Sequence, residues 1–121
     1  MKKLICSLVL CAGFVHASQE LPANVSSLIP KGYSVLNFTQ GNLNRDKIDD
    51  AILILKRSDE NRDNYTEESP KRPLCILVGQ EDGNYTKVAE NNNSVLGIFD
   101  GGVFGDPFSG VTIKNGYFSV E

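Results

Sequence analysis

Apolar residues in this chain come in short bursts, each bounded by glycine or turn-forming polar residues, which is the pattern of a β-protein. The first burst of the expected domain is the exception. Val25, Leu28 and Ile29 recur at helical spacing between Leu21 and Pro30, so one or two helical turns are expected, closed by Pro30 and Gly32. Tyr33 to Phe38 alternates apolar and polar side chains, as a strand does. Ala51 to Leu55 is apolar without a break, which predicts a strand covered on both faces. Leu74 to Gly79 reads as the next central strand. Glu81 to Asn84 supplies turn chemistry in which Gly83 can take positive φ, and Tyr85 to Ala89 returns as a half-exposed strand. After a turn at Asn91 to Ser94, Val95 to Phe99 is expected as an edge strand. Val111 to Val120 reads as a hairpin about Asn115-Gly116, the pair that a type I′ turn favours.

Two polar stretches interrupt this series. Lys56 to Pro73 has no hydrophobic period and is long for an unstructured connection inside a compact domain. It is expected to be a mobile excursion between two paired strands. Asp100 to Gly110 is glycine-rich and carries Phe104, Pro107 and Phe108, so an irregular loop pinned by aromatics is expected. The elements together predict an all-β, mainly antiparallel fold. It is either a blade-like meander or a small β-sandwich with a short N-terminal helix, in one domain over residues 18–121. Tyr117 to Val120 reads as an internal strand that wants a further neighbour, from chain beyond Glu121 or from another copy. Self-association through this strand is the consequence if it stays unpaired.

The first residues change the inventory. Lys2 and Lys3 precede an apolar run from Leu4 to Val15, and Val15-His16-Ala17 presents compact residues at a cleavage site, so residues 1–17 read as an export signal. The run is too short to span a bilayer comfortably. Leu10 before Cys11 is bulkier than a lipoprotein signal prefers. A periplasmic or extracellular address follows. Cleavage after Ala17 would remove Cys6, Cys11 and the only histidine, leaving Cys75 within Leu74 to Val78 as a buried thiol. A mature chain without histidine has no Ser-His-Asp or Cys-His nucleophile pair and no imidazole zinc site. Acidic residues outnumber basic ones, 15 to 12, with no basic stripe, which argues against nucleic acid as a partner.

One segment carries candidate chemistry. From Gly41 to Asp50, oxygen-bearing side chains recur at alternate positions and lead directly into the apolar strand Ala51 to Leu55. The segment resembles the calcium loop of FG-GAP and VCBS-type repeats, the blades of integrin-like β-propellers. That resemblance places the ligand positions on Asn42, Asn44, Asp46 and Asp50, with Ile48 offering a backbone carbonyl. Lys47 stands where the repeat has glycine, and Asn42 where it has aspartate. Asp46 and Asp50 are then the only carboxylates at ligand positions, so no cofactor is expected apart from weak calcium binding. The alternative is a degenerate loop closed by Asx-type hydrogen bonds, with Lys47 in place of the ion. More broadly, Ile29 to Tyr33, Gly41 to Asn44, Gly101 to Phe104 and Ile113 to Gly116 are similar to segments of a group of small exported bacterial proteins of unknown function. Members of that group usually extend further, which implies a C-terminal truncation here.

Other candidates are weaker. The pairs Asp49 with Asp50 and Asp100 with Asp106 would be needed for a carboxylate-dependent hydrolase, but they read as solvated turn residues. Five Asn-x-Ser/Thr matches, at Asn24, Asn37, Asn64, Asn84 and Asn92, read as fortuitous in an asparagine-rich chain. The functional expectation is a non-catalytic exported domain that binds a protein or a glycan, with the polar loop and the loop at Phe104 and Phe108 as contact surfaces. A calcium-stabilised structural module is the alternative.

Overall fold

The structure, a computed structural model, describes residues 21–60 and 69–121. The expected signal segment, with Cys6, Cys11 and His16, and the Asn64 sequon lie outside the described residues. The fold is mostly antiparallel β, with two sheets and very little helix. Strands β1 (Tyr33–Gly41), β2 (Asp50–Arg57), β3 (Leu74–Gly79) and β4 (Tyr85–Asn91) form a four-stranded meander in sequence order. Strands β5 (Val111–Lys114) and β6 (Tyr117–Val120) form a separate hairpin. A single helical turn, α1 (Ala23–Ser26), precedes them.

The unbroken apolar run in β2 is explained by its position. Ala51, Leu53 and Leu55 enter one core cluster with Val25, Cys75, Leu77 and Tyr85, and Leu21, Leu28 and Ile29 around α1 pack against it. Ile52 and Ile54 enter a second cluster on the opposite face, with Leu74 and Val95 and with Val111, Ile113 and Val120 of the hairpin. Alternate side chains of a strand point to opposite faces, so both faces must be covered for the run to be buried. All five residues are essentially inaccessible, each contributing about 1–3 kcal/mol of apolar burial according to size. The molecule is therefore two-layered on one side of the meander and capped by α1 on the other.

Both edge strands carry a β-bulge, and each bulge changes which side chains share a face. In β1 the register shifts between Val35 and Asn37, so Val35 opposes Leu55 and Phe38 opposes Leu53. Simple alternation would separate Val35 from Phe38, yet both pack on the first cluster while Leu36 joins the second. In β4 a shift opposite Ile76/Leu77 leaves Val88 as the extra residue. Lys87 and Glu90 thus point the same way and pair at 2.6 Å.

The open end of the first face is closed by side chains from both edges. Gln40 Nε2 donates to the Tyr85 hydroxyl at 2.8 Å, and the Phe38 and Tyr85 rings meet edge to face at 5.9 Å. Asn24 ties α1 to β4 with its amide, which donates to Tyr85 O at 2.6 Å and accepts from Tyr85 N at 2.9 Å. Cys75 is a buried free thiol, and burial, with Glu90 alongside, pushes its pKa up.

Two sequence expectations require correction. Val95 to Phe99 forms no strand; it is irregular chain that leads into a turn at Ile98 and Phe99 and is held close to residues 69 and 70, where a Cβ on Gly97 would lie 2.2 Å from Ser69 Cβ. Residues 61–68 of the stretch 56–73 lie outside the described residues, and β2 and β3 on either side of it pair as expected, but its ends are not polar excursion. β2 continues to Arg57, Arg72 and Pro73 are buried, and Glu60 meets Arg72 across the ends of the connection. Among the described residues, Tyr117 to Val120 pairs with β5 alone. The Asn115-Gly116 turn is as expected, with φ values of 55° and 81°.

Candidate functional site

The polar loop that joins β1 to β2 is organised by one buried carboxylate. Asp50 is fully inaccessible. Its Oδ2 accepts from Leu43 N at 2.9 Å and Asn44 N at 3.2 Å, and its Oδ1 accepts from Gly79 N at 3.0 Å. One side chain therefore fixes the loop's start to the end of β3. Gly79 must be glycine for this approach, because a Cβ there would lie 2.1 Å from Asp49 O.

The remaining ligand positions of the loop bond mostly to the loop itself. Asn44 Oδ1 accepts from Asp46 N at 3.3 Å, and Asp46 Oδ1 accepts from Ile48 N at 2.9 Å. The Asn42 amide nitrogen donates to Asp46 O. Asn42 Oδ1 differs from the others: it is cut off from solvent and has no hydrogen-bond partner. Asp49 is exposed. Lys47, which stands where the repeat has glycine, does not take the left-handed conformation that glycine favours. Arg45 does, with φ of 64°. Among the described residues, no group of three or more His, Cys, Asp or Glu is arranged to hold a metal ion.

The loop separates two cavities of opposite character. One, of about 430 Å³, lies between the loop and the β5–β6 turn and is lined by Asn42, Arg45, Ile113, Lys114, Asn115 and Gly116. The other, of about 520 Å³, lies on the β3 side and includes Asp46, Ile48, Glu81 and Asp82. The hairpin reaches the loop because Gly41 leaves room for Ile113, whose Cγ2 would lie 2.7 Å from a Cβ at that position.

A second organised region was not foreseen from sequence. Arg72, 1% exposed, uses all five of its N–H donors. Nε donates to Glu60 Oε2 at 3.2 Å, and Nη2 donates to Glu60 Oε1 at 2.6 Å and Asp106 Oδ2 at 2.7 Å. Nη1 donates to Asp106 Oδ1 at 2.9 Å and Leu96 O at 3.0 Å. Burial works against the guanidinium charge, but the hydrogen bonds to Asp106 and Glu60 and the two carboxylate charges outweigh it, so its pKa is raised. The Arg72 hydrogen bond holds the Asp106 carboxyl below the usual carboxylate range.

This cluster buttresses the glycine-rich loop. Asp100 Oδ2 accepts from Gly97 N at 2.6 Å, and Asp106 Oδ1 also accepts from Phe108 N at 3.0 Å. Between these two anchors a 3₁₀ turn, Gly102–Phe104, carries Val103 and Phe104 outward, 96% and 93% exposed. The two phenylalanines therefore part company. Phe108 packs on the second core cluster, whereas Phe104 meets solvent.

Arg72 and Glu60 carried no sequence signal, because each lies in a charged stretch like many solvated ones. No helix among the described residues is long and apolar enough to cross a membrane. No protein-family model, no curated protein and no solved structure matches this chain.

Proposed function

We propose that the protein is an exported, non-catalytic β-domain that binds a protein partner, with Val103 and Phe104 as the anchor. The observation that carries this reading is the pairing of near-complete exposure at those two side chains with a rigid base beneath them. Large apolar side chains held out on a preorganised turn suit insertion into a pocket on another protein, since little conformational entropy is lost on binding. Asp100 and Asp106 flank the turn and disfavour an anionic lipid surface. Both carboxylates are engaged in fold-stabilising bonds, which supports a binding role over hydrolysis. The test is capture of a partner from the cells that make the protein, with Phe104→Asp and Val103→Asp as controls. Loss of capture with an unchanged melting temperature supports the reading, and undiminished capture by both variants sinks it.

A second reading is favoured by Asn42 Oδ1, a shielded acceptor without a donor at the first ligand position of the loop. A calcium ion seated there would be held by Asn42, Asn44 and Asp46, with Ile48 offering its carbonyl and Asp50 steering from the loop's end. It would stabilise the loop by charge neutralisation. The few carboxylates place such a site at the weak end of calcium affinities. Melting in millimolar calcium against EDTA tests it: a rise of several degrees, lost in Asp46→Ala, supports the reading, and coincident melts remove it.

A further inference from the structure

We infer that the cavity between the β1–β2 loop and the β5–β6 turn binds an acidic saccharide through Arg45 and Lys114. Both cations line this cavity, and neither forms an ion pair among the described residues. In a chain where acidic residues prevail, two unpaired cations facing one cavity leave a local excess of positive charge. The acidic side chain nearest in sequence, Asp46, lines the cavity on the other side of the loop with Glu81 and Asp82. Of the charged side chains that line the two cavities, the cations lie on the hairpin side and the carboxylates on the β3 side.

Backbone strain marks the same place. Among the described residues, the two non-glycine residues with positive φ are Arg45 at 64° and Asn115 at 55°, and both line this cavity. Asn115 is at home in a type I′ turn. Arg45 is not, since a long side chain gains nothing from the left-handed region that asparagine or glycine would not supply more easily. Strain of this kind persists where a side chain must be aimed, and here it aims the guanidinium over the turn. Gly116 meets the turn's positive φ of 81°, and the Arg45 guanidinium lies within contact distance of it.

The lining selects the ligand class. Two cations call for an oxyanion, and the exposed Asn115 amide suits hydroxyl groups. Ile113 offers an apolar floor to the C–H face of a sugar ring. Among the described residues no aromatic side chain lines the cavity, so a nucleobase has nothing there on which to stack. At about 430 Å³ the space suits one or two sugar rings. A uronic acid unit combines the carboxylate, the hydroxyls and the ring face.

The test is titration of the purified protein with trigalacturonate, its methyl ester and inorganic phosphate, followed by NMR and calorimetry. The inference expects trigalacturonate to bind, with shifts at Arg45, Lys114 and Asn115. It expects the ester and phosphate each to bind at least about tenfold more weakly. Lys114→Gln should weaken trigalacturonate by about tenfold. Arg45→Asn is the sharper variant, because asparagine accepts the left-handed backbone. Its melting temperature should hold or rise while affinity falls by about tenfold or more. Absence of trigalacturonate binding overturns the inference, as does equal binding of the ester. Phosphate binding as tightly would reduce the site to an anion site without saccharide recognition, and unchanged affinity in both variants would place binding elsewhere.

Discussion

Arg72 grips Asp106 in a fork of two parallel hydrogen bonds, 2.9 Å from Nη1 to Oδ1 and 2.7 Å from Nη2 to Oδ2. The same guanidinium makes a second fork to Glu60, whose side chain is 2% exposed. Both ends of the β2–β3 connection, at Glu60 and Arg72, and the segment after β4, at Leu96 and Asp106, meet at this one cation. The glycine-rich loop owes its fixed position to it.

Removing the cation should be costly. Arg72→Met would leave Glu60 buried without its partner, and breaking a buried pair in this way costs about 3–5 kcal/mol. Asp106→Ala should cost less, about 1–3 kcal/mol, because Asp106 is 39% exposed and water can replace part of the interaction. Urea unfolding of both variants checks the order. Equal effects would contradict the asymmetric burial.

Acid should weaken the protein through the same residue. The folded-state pKa of Asp106 is depressed, so its contribution to stability is present above the unfolded carboxyl value. It is lost as pH falls through the folded value. Stability should therefore decline from about pH 4 downwards, and the decline should be shallower in Asp106→Asn. Urea midpoints measured across that range give the comparison, and parallel curves would remove Asp106 from the account.

The Asp50 carboxylate accepts from three backbone N–H groups at once. Asp50→Asn keeps the shape but presents an NH₂ to one set of donors, leaving at least one buried N–H without an acceptor. A loss of about 1–3 kcal/mol is expected, with faster amide exchange at Leu43, Asn44 and Gly79. Unchanged exchange at all three would show that the carboxylate does not organise the loop.

Cys75 lies in the first core cluster with its pKa raised. Alkylation of its peptide, followed by mass spectrometry at neutral pH, should be slow in the folded protein and rapid in denaturant. Rapid modification of the folded protein would contradict the packing of α1 over β3.

The meander and the hairpin were legible because their signals are local. The apolar run of β2 and the Asn115-Gly116 turn each specify backbone conformation over a few residues. The bulges were not legible, since a shift that puts Val35 and Phe38 on one face depends on pairing with Leu55 and Leu53. Val95 to Phe99 looked like a strand by composition. Tertiary contact overrides that pattern: Gly97 packs on Ser69, and Phe99 N donates to Ser69 Oγ at 2.7 Å. In the β1–β2 loop the oxygen-bearing positions were legible. That Arg45, not Lys47, takes the left-handed position was not, because no pattern along the chain marks Arg45 for it. The Arg72 cluster joins residues 12 and 34 positions apart in the sequence, and no pattern along the chain announces such a meeting.

The most direct test of the binding reading is photo-cross-linking from position 104 in the cells that produce the protein, with a photoreactive phenylalanine in place of Phe104. The account predicts one discrete protein adduct, lost when Val103→Asp is added and weakened by Arg72→Met, which frees the loop from its base. No adduct, or one that survives Val103→Asp undiminished, would contradict the claim that the exposed turn is the site of protein recognition.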